Sequence, residues 1–153
     1  MGRVAASASL TPRVRAVEAG DAGDVADLLQ ALGYPCSRDE ALERIAHFHD
    51  DPHQHLLLAE LEGVACGLAA LQLNYSLTRG ADVARITALV VSPNCQRQGI
   101  GRRLLREMES IARRSGAIRI EVTSNPRRLD AHAFYRDCGY PDGSLHFARL
   151  LGD

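Results

Sequence analysis

Lysine is missing altogether: all 18 basic residues are arginine. The chain therefore has no lysine to form a Schiff base or to clamp a nucleotide phosphate. Gene base composition explains that deficit more simply than any function does. Tryptophan is also absent, and aromatic residues are only 5%, which leaves few platforms on which bases could stack. A formal net charge of -1 supplies no basic field for a polyanion, so no nucleic acid is expected as a partner. No apolar run approaches the ~20 residues that a spanning helix needs, so no membrane partner is expected either. The 4 cysteines (Cys36, Cys66, Cys95 and Cys138) form no C-x-x-C pair and follow no export signal. They read as free thiols in a reducing cytoplasm, with Cys95 incidental rather than nucleophilic.

What remains is an ordinary globular composition of 153 residues, enough for one domain with one core. Residues 1–12 are small and polar and read as a disordered leader, with the domain over 13–153. Val14 to Val17 alternates as a strand. A helix carrying Val25, Leu28, Leu29 and Leu32 follows and ends at Gly33. Ser37 and Glu40 form a capping box for a second helix, with Leu42, Ile45, Ala46 and Phe48 turned inward. His55–Leu61 and Val64–Leu73 read as strands joined at Glu62-Gly63, with a polar loop over Tyr75–Asp82. Beyond the central region, strand Ile118–Thr123, helix Ala131–Asp137 capped by Asp130, and a last strand Leu145–Leu150 complete the chain. The order β-α-α-β-β-β-α-β-α-β predicts an α+β fold with a mixed central sheet flanked by helices.

The chain is organised around Val83 to Ser115. An apolar, β-branched run (Ile86, Thr87, Leu89, Val90, Val91) stops at Ser92-Pro93-Asn94. A helical pattern then follows on Ile100, Leu104, Leu105, Met108, Ile111 and Ala112. Between them lies Gln96-Arg97-Gln98-Gly99-Ile100-Gly101. Two glycines at a strand-to-helix junction let main-chain N–H groups converge at the positive end of a helix dipole, where an anion such as a phosphate is favoured. A dinucleotide fingerprint would need a third glycine at Leu104, and an NTP-binding P-loop would need Gly-Lys-Ser/Thr; neither is present.

Gln/Arg-x-x-Gly-x-Gly in this setting resembles the coenzyme A pyrophosphate loop of the GCN5-related N-acetyltransferase (GNAT) family. A second stretch, Glu121 to Tyr135 closed by Gly139-Tyr140, is similar to the family's Ala-x-x-Phe-Tyr-x-x-x-Gly-Tyr/Phe signature. More narrowly, Ser-Asn-x-x-Arg-x-Asp-Ala-His-x-Phe-Tyr and Asp51-Pro52 resemble bacterial aminoalkylphosphonate N-acetyltransferases. The resemblance covers about Arg13 to Leu150. It implies acetyl-coenzyme A as co-substrate, a small-molecule amine as acceptor, a cytoplasmic enzyme and a homodimer.

It also implies roles for particular residues. Leu89, Val90 and Val91 would lie beside pantetheine. Gln96, Arg97, Gln98, Gly99, Ile100, Gly101 and Arg102 would surround the pyrophosphate, with Asn125, Arg128 and His132 near the cofactor. Tyr135 would protonate the leaving thiolate. A tyrosine near ~10 donating to a thiol near ~8.5 is uphill by about 2 kcal/mol, which a short hydrogen bond in a dry site can offset. An alkyl ammonium near ~10 is neutral in about one molecule in a thousand at pH 7, so a base is required; Glu121, or a water it holds, is the candidate. Arg85, Arg79, His53 and His55 would face an anionic acceptor. His47, His49, His53 and His55 do not have the spacing of one metal site, and no metal is expected. A coenzyme A-binding module without turnover, and a protein acetyltransferase, stay open at this stage.

Overall fold

A computed structural model describes residues 11–123, 128–143 and 145–152. The chain divides into two compact units, residues 1–121 and 122–153. The first opens with β1 (Arg13–Ala16), then α1 (Ala22–Leu32) and α2 (Arg38–His49). Next come β2 (Gln54–Leu61), β3 (Val64–Ser76), β4 (Ala81–Val91), α3 (Ile100–Arg114) and β5 (Arg119–Val122).

Local chemistry accounts for the boundaries. Gly33 ends α1 in the left-handed region at φ 105°, and its N–H reaches the carbonyls of Leu29 and Gln30. The Ser37 hydroxyl accepts from the Glu40 N–H at 3.0 Å while the Glu40 carboxylate accepts from the Ser37 N–H at 2.8 Å, so the expected capping box forms. In α2 the inward residues are Ala41 and Ile45, with Phe48 half-buried; Leu42 and Ala46 face outward, contrary to expectation. Ala41 and Ile45 are one turn apart and fill the stripe that meets the sheet, which rotates their neighbours away. Glu62 (φ 51°) and Gly63 (φ 80°) make the two-residue hairpin turn between β2 and β3. The polar loop expected over Tyr75–Asp82 is shorter: β3 runs to Ser76 and β4 starts at Ala81.

The five strands lie in the order β1-β2-β3-β4-β5. The first three neighbouring pairs are antiparallel. The Ile118 N–H donates to the Asp82 carbonyl at 3.0 Å, so β5 starts beside the start of β4 and runs with it. That parallel neighbour needs the α3 crossover, and the sheet is mixed. α1 and α2 pack on one face through Val17, Val25, Leu28, Ile45, Leu58, Leu68 and Val90. α3 packs on the other through Ile100, Leu104, Leu105, Met108 and Ala112. A Cβ on Gly67 of β3 would stand 2.9 Å from Ile100 Cγ2 and 2.9 Å from Leu104 Cδ1, so this glycine sets how closely the helix seats.

In β4 the register shifts between Ala88, opposite Ala70, and Ile86, opposite Leu71. Thr87 is the extra residue of a bulge. Beyond it the inside–outside alternation inverts.

The second unit contains α4 (Leu129–Asp137), ended by Gly139 at φ 91°. Asp130 lies in its first turn rather than capping it. The strand expected over Leu145–Leu150 does not form. These residues have no ladder partner among the described residues, and Leu145, Phe147 and Leu150 are exposed by 82%, 86% and 98%. Without a neighbouring edge, a lone strand leaves its main-chain groups to water.

Candidate active site

The end of β4 feeds the loop that the sequence singled out as a candidate anion site. Ser92 donates its N–H to the Cys66 carbonyl at 2.7 Å, tying the loop's start to β3. The Gln96 side chain turns back and donates to the Val91 carbonyl at 2.9 Å, so this amide closes the loop. The left-handed residues are Arg97 (φ 65°) and Gly99 (φ 76°). For arginine that conformation costs about 1–2 kcal/mol, and strain of this kind gathers at functional loops. Gly101 lies within the first turn of α3, so the reversal is made by Arg97 and Gly99 rather than by the two glycines.

Gly99 is the N-cap of α3 and no side chain caps the helix. The N–H groups of Ile100, Gly101 and Arg102 therefore project from the dipole's positive end, the first helical bond being Arg103 N–H to the Gly99 carbonyl at 3.0 Å. Ile100 contributes only main chain there, because its side chain is buried. Arg97, Gln98 and Arg102 are exposed. The Cys66 thiol lies buried beside Cys95, and burial with that neighbour pushes its pKa up to about 11, so it keeps its proton. Both remain free thiols.

β5 lies beside only the first half of β4. Past Thr87, the edge carrying Leu89, Val90 and Val91 has no strand on that side among the described residues, and an extended chain can add to it there.

A polar row crosses the first half. Gln54 stands opposite Gln72, and Gln72 opposite Arg85. Directly opposed residues share a sheet face. Arg85 Nη2 donates to Glu121 Oε1 at 3.2 Å, and Arg119 Nε donates to Glu121 Oε2 at 2.7 Å. Arg119, and then Arg85, hold the Glu121 carboxyl below the usual carboxylate range, against the burial that pushes it up. Arg85 and Glu121, picked out separately in the sequence, thus form one group.

The other acceptor-site residues do not join it. His55 follows Gln54 in β2 and so points to the opposite face from Arg85, while His53 lies in the turn just before the strand. Burial, with Arg114 of α3 nearby, lowers the His55 pKa. Arg79 lies in the β3–β4 turn beyond the Ser76–Ala81 pair, about 13 Å along the strands from Gln72. The histidine cluster is likewise dispersed: His49 Nε2 is engaged with the Val17 carbonyl at 3.0 Å. Among the described residues no group of three or more His, Cys, Asp or Glu could hold a metal ion. No helix among them is long and apolar enough to cross a membrane. A cavity of about 240 Å³ between α2, β1 and β2, lined by Ile45, Phe48, Gln54 and Leu56, adjoins the Gln54 end of the row.

Sequence reading missed Gln54, Gln72, Arg119 and the Thr87 bulge. Gln72 was visible as the one amide in the otherwise small and apolar run Ala65–Leu73.

In the second unit Tyr135 is half-buried between Phe134, edge-on at 5.3 Å, and Tyr140 at 6.1 Å. Burial raises its hydroxyl above the usual tyrosine value. His132 is three residues earlier, one turn away on the same side of α4. Arg128 is the exposed N-cap of that helix, and Asn125 lies outside the described residues.

Residues 23–140 match the Acetyltransferase (GNAT) family. An aminoalkylphosphonate N-acetyltransferase of Salmonella typhimurium is 36% identical over 101 residues, 66% of this chain and 66% of that protein. An aminoglycoside N(6')-acetyltransferase type 1 of Stenotrophomonas maltophilia is 27% identical over 135 residues, 86% of this chain and 87% of that one. The solved aminoglycoside N-acetyltransferase AAC(6')-Iy, in complex with CoA, superimposes with a TM-score of 0.81 at 16% identity. That superposition covers 92% of this chain and 95% of the other, and speaks for the fold. An uncapped helix start after a left-handed loop, an open edge on the central strand and the family match over most of the chain agree: this protein belongs to the GNAT family of acetyl-coenzyme A-dependent N-acetyltransferases.

Proposed function

We propose that the acceptor is a small primary amine bearing an anionic group, an aminoalkylphosphonate or an amino-acid-like compound. The observation that carries this reading is the trio Arg85, Glu121 and Arg119. Two guanidiniums share one carboxylate, which leaves a net positive charge on an open part of the sheet. A guanidinium meets a phosphonate or carboxylate through two parallel N–H groups, which orients the amine as well as binding it. The relative at 36% identity bears the name of an enzyme for such amines. A polycationic aminoglycoside would instead need unpaired carboxylates, and here Glu121 is doubly paired while Asp51 accepts from Gln54 at 3.0 Å.

Coenzyme A is held with its pyrophosphate on the N–H groups of Ile100, Gly101 and Arg102, and pantetheine along the open edge at Leu89 to Val91. Arg97, Gln98 and Arg102 supply polar surroundings, and Arg128 and His132 are kept as cofactor-binding candidates on the family resemblance alone. From Arg85 to the bulged Thr87 is about 6.6 Å along the strand, the span of an amine and an anion joined by a short alkyl chain. The amine nitrogen attacks the thioester carbonyl carbon; the C–N bond forms, the carbonyl oxygen becomes an oxyanion met by main-chain N–H of β4, and collapse breaks the C–S bond. A carboxylate held as low as Glu121 is a weak base, so the ammonium proton leaves through a water that Glu121 holds. Tyr135, still protonated, gives its proton to the thiolate, and the second proton, shed by the acetylated nitrogen as the tetrahedral intermediate collapses, returns through water to the tyrosine. No acetyl-enzyme is formed.

The same reading places the enzyme in the cytoplasm as a homodimer. The exposed apolar residues Leu145, Phe147, Leu150 and Leu151 support the second copy.

A thiol-release assay with 2-aminoethylphosphonate, amino acids, an aminoglycoside and a histone-like peptide tests the substrate. Specificity constants favour the anionic amines by at least ~10-fold, and Arg85→Gln erases most of that preference. Preference for the aminoglycoside or the peptide overturns the substrate reading and leaves acetyl transfer standing.

A further inference from the structure

Resting on that anionic-amine reading, we propose that Gln72 is a specificity-determining residue: its side-chain amide takes a third oxygen of a phosphonate whose other two oxygens meet Arg85, so that a tetrahedral phosphonate is preferred to a planar carboxylate. The inference begins from the register. Gln54, Gln72 and Arg85 occupy one rung across β2, β3 and β4, on one face. Opposed side chains on such a rung leave their Cβ atoms about 4.5–5.5 Å apart. One compact anion can therefore touch both Arg85 and Gln72.

The hydrogen-bonding capacity along the rung is unequal. Gln54 donates to Asp51 Oδ2 at 3.0 Å, and Asp51 accepts from the His53 N–H with its other oxygen at 2.9 Å. That end is already drawn toward Asp51. Arg85 spends one Nη2 contact on Glu121 at 3.2 Å and keeps its remaining N–H groups. Gln72, half-buried, has no side-chain hydrogen bond among the described residues, and none of its polar atoms is sealed from solvent. An amide with two N–H donors thus stands unspent beside a guanidinium, on a strand whose neighbours Leu71 and Leu73 are buried against the other face.

The arithmetic of acceptors does the rest. A carboxylate has two oxygens, and a bidentate arginine uses both in one plane. A phosphonate has three, and the one left over rises out of that plane toward the next strand. Here the next strand presents Gln72. An amide hydrogen bond to a charged oxygen is typically worth about tenfold or more in affinity. The discrimination therefore belongs in substrate binding rather than in the chemical step.

The test compares 2-aminoethylphosphonate with its carboxylate counterpart, β-alanine, using the full-length enzyme and acetyl-coenzyme A. Wild type is expected to favour the phosphonate by roughly 10-fold in kcat/KM. Gln72→Leu is expected to bring the ratio close to one, the loss falling on the KM for the phosphonate. Gln72→Glu is expected to invert the ratio, because a carboxylate beside the third oxygen repels it. Thermal melting and calorimetric coenzyme A affinity for both variants establish that each is folded and cofactor-competent. If only one variant is folded, its ratio decides alone. An unchanged ratio in a folded variant, or a wild-type ratio near one, overturns the role of Gln72 and leaves the anionic-amine reading intact. Turnover of neither compound, with brisk acetylation of an aminoglycoside or peptide, overturns both.

Discussion

Arg85 and Glu121 meet across β4 and β5 at 3.2 Å, while Arg119 holds the carboxylate's other oxygen at 2.7 Å. The pairing ties the proposed anion-binding residue to the proposed base, so neither can be changed without altering the other. Glu121→Gln is expected to lower kcat by roughly 10²-fold, the usual scale of general-base assistance. Because the Glu121 pKa is lowered, the carboxylate is ionised throughout the neutral range and does not itself produce an acidic limb there. Activity of the variant should then recover as pH rises toward the amine's own pKa and free amine becomes available without help. A flat kcat across the substitution would remove Glu121 from the mechanism.

Tyr135→Phe should lower turnover by roughly 10²-fold or more, with coenzyme A affinity little changed. Burial raises the Tyr135 pKa, so the sign is plain: the protonated form persists through neutral pH and is lost only above the ordinary tyrosine value. No alkaline fall due to this residue is expected below about pH 10. Single-turnover measurements that show the same chemical rate in wild type and variant would assign Tyr135 to packing with Phe134 and Tyr140.

Two glycines near the cofactor loop should fail in different ways. A Cβ at Gly99 meets nothing within 4 Å, but the residue's φ of 76° disfavours any other side chain. Gly99→Val is expected to abolish calorimetric coenzyme A binding while the protein stays folded. At Gly67 the Cβ would press on Ile100 and Leu104 and stand 3.2 Å from the Val90 carbonyl. Gly67→Ala should cost about 1–3 kcal/mol through overpacking, or roughly 2–12 °C in Tm, and displace the start of α3. Unchanged coenzyme A binding in Gly99→Val, or an unshifted melt in Gly67→Ala, refutes the corresponding assignment.

Much of this was readable from residue order because its signals are local. Ser37 with Glu40, Gly33 after an apolar stripe, and Glu62-Gly63 between two strands each fix a boundary within four residues. Gln96 to Gly101 marked a strand-to-helix loop, although Gln96 closes that loop and Arg97 shares the turn with Gly99. What escaped was set at long range. His55 looked like a partner of Arg85, yet strand alternation gives that face to Gln54, and His53 falls in the turn before the strand. Leu145 to Leu150 is apolar enough to read as a strand, and only the presence or absence of a neighbouring edge decides whether it becomes one. Thr87 left no trace as a bulge, because Arg85 and Thr87 look like ordinary outward residues of one uninterrupted strand.

That bulge makes β4 two half-strands of opposite parity. Before it, odd-numbered residues share a face with Gln72; after it, even-numbered residues such as Ala88 and Val90 face α1 and α2. The proposed acceptor half and the proposed cofactor half of the same strand thereby follow separate face assignments. Position 85 can exchange one charge for another while the edge at Leu89 to Val91 and the seat of α3 stay as they are. On the proposed assignment, a lineage carrying this strand can change which amine it acetylates by exchanging Arg85 and Glu121 together, without relinquishing the acetyl donor.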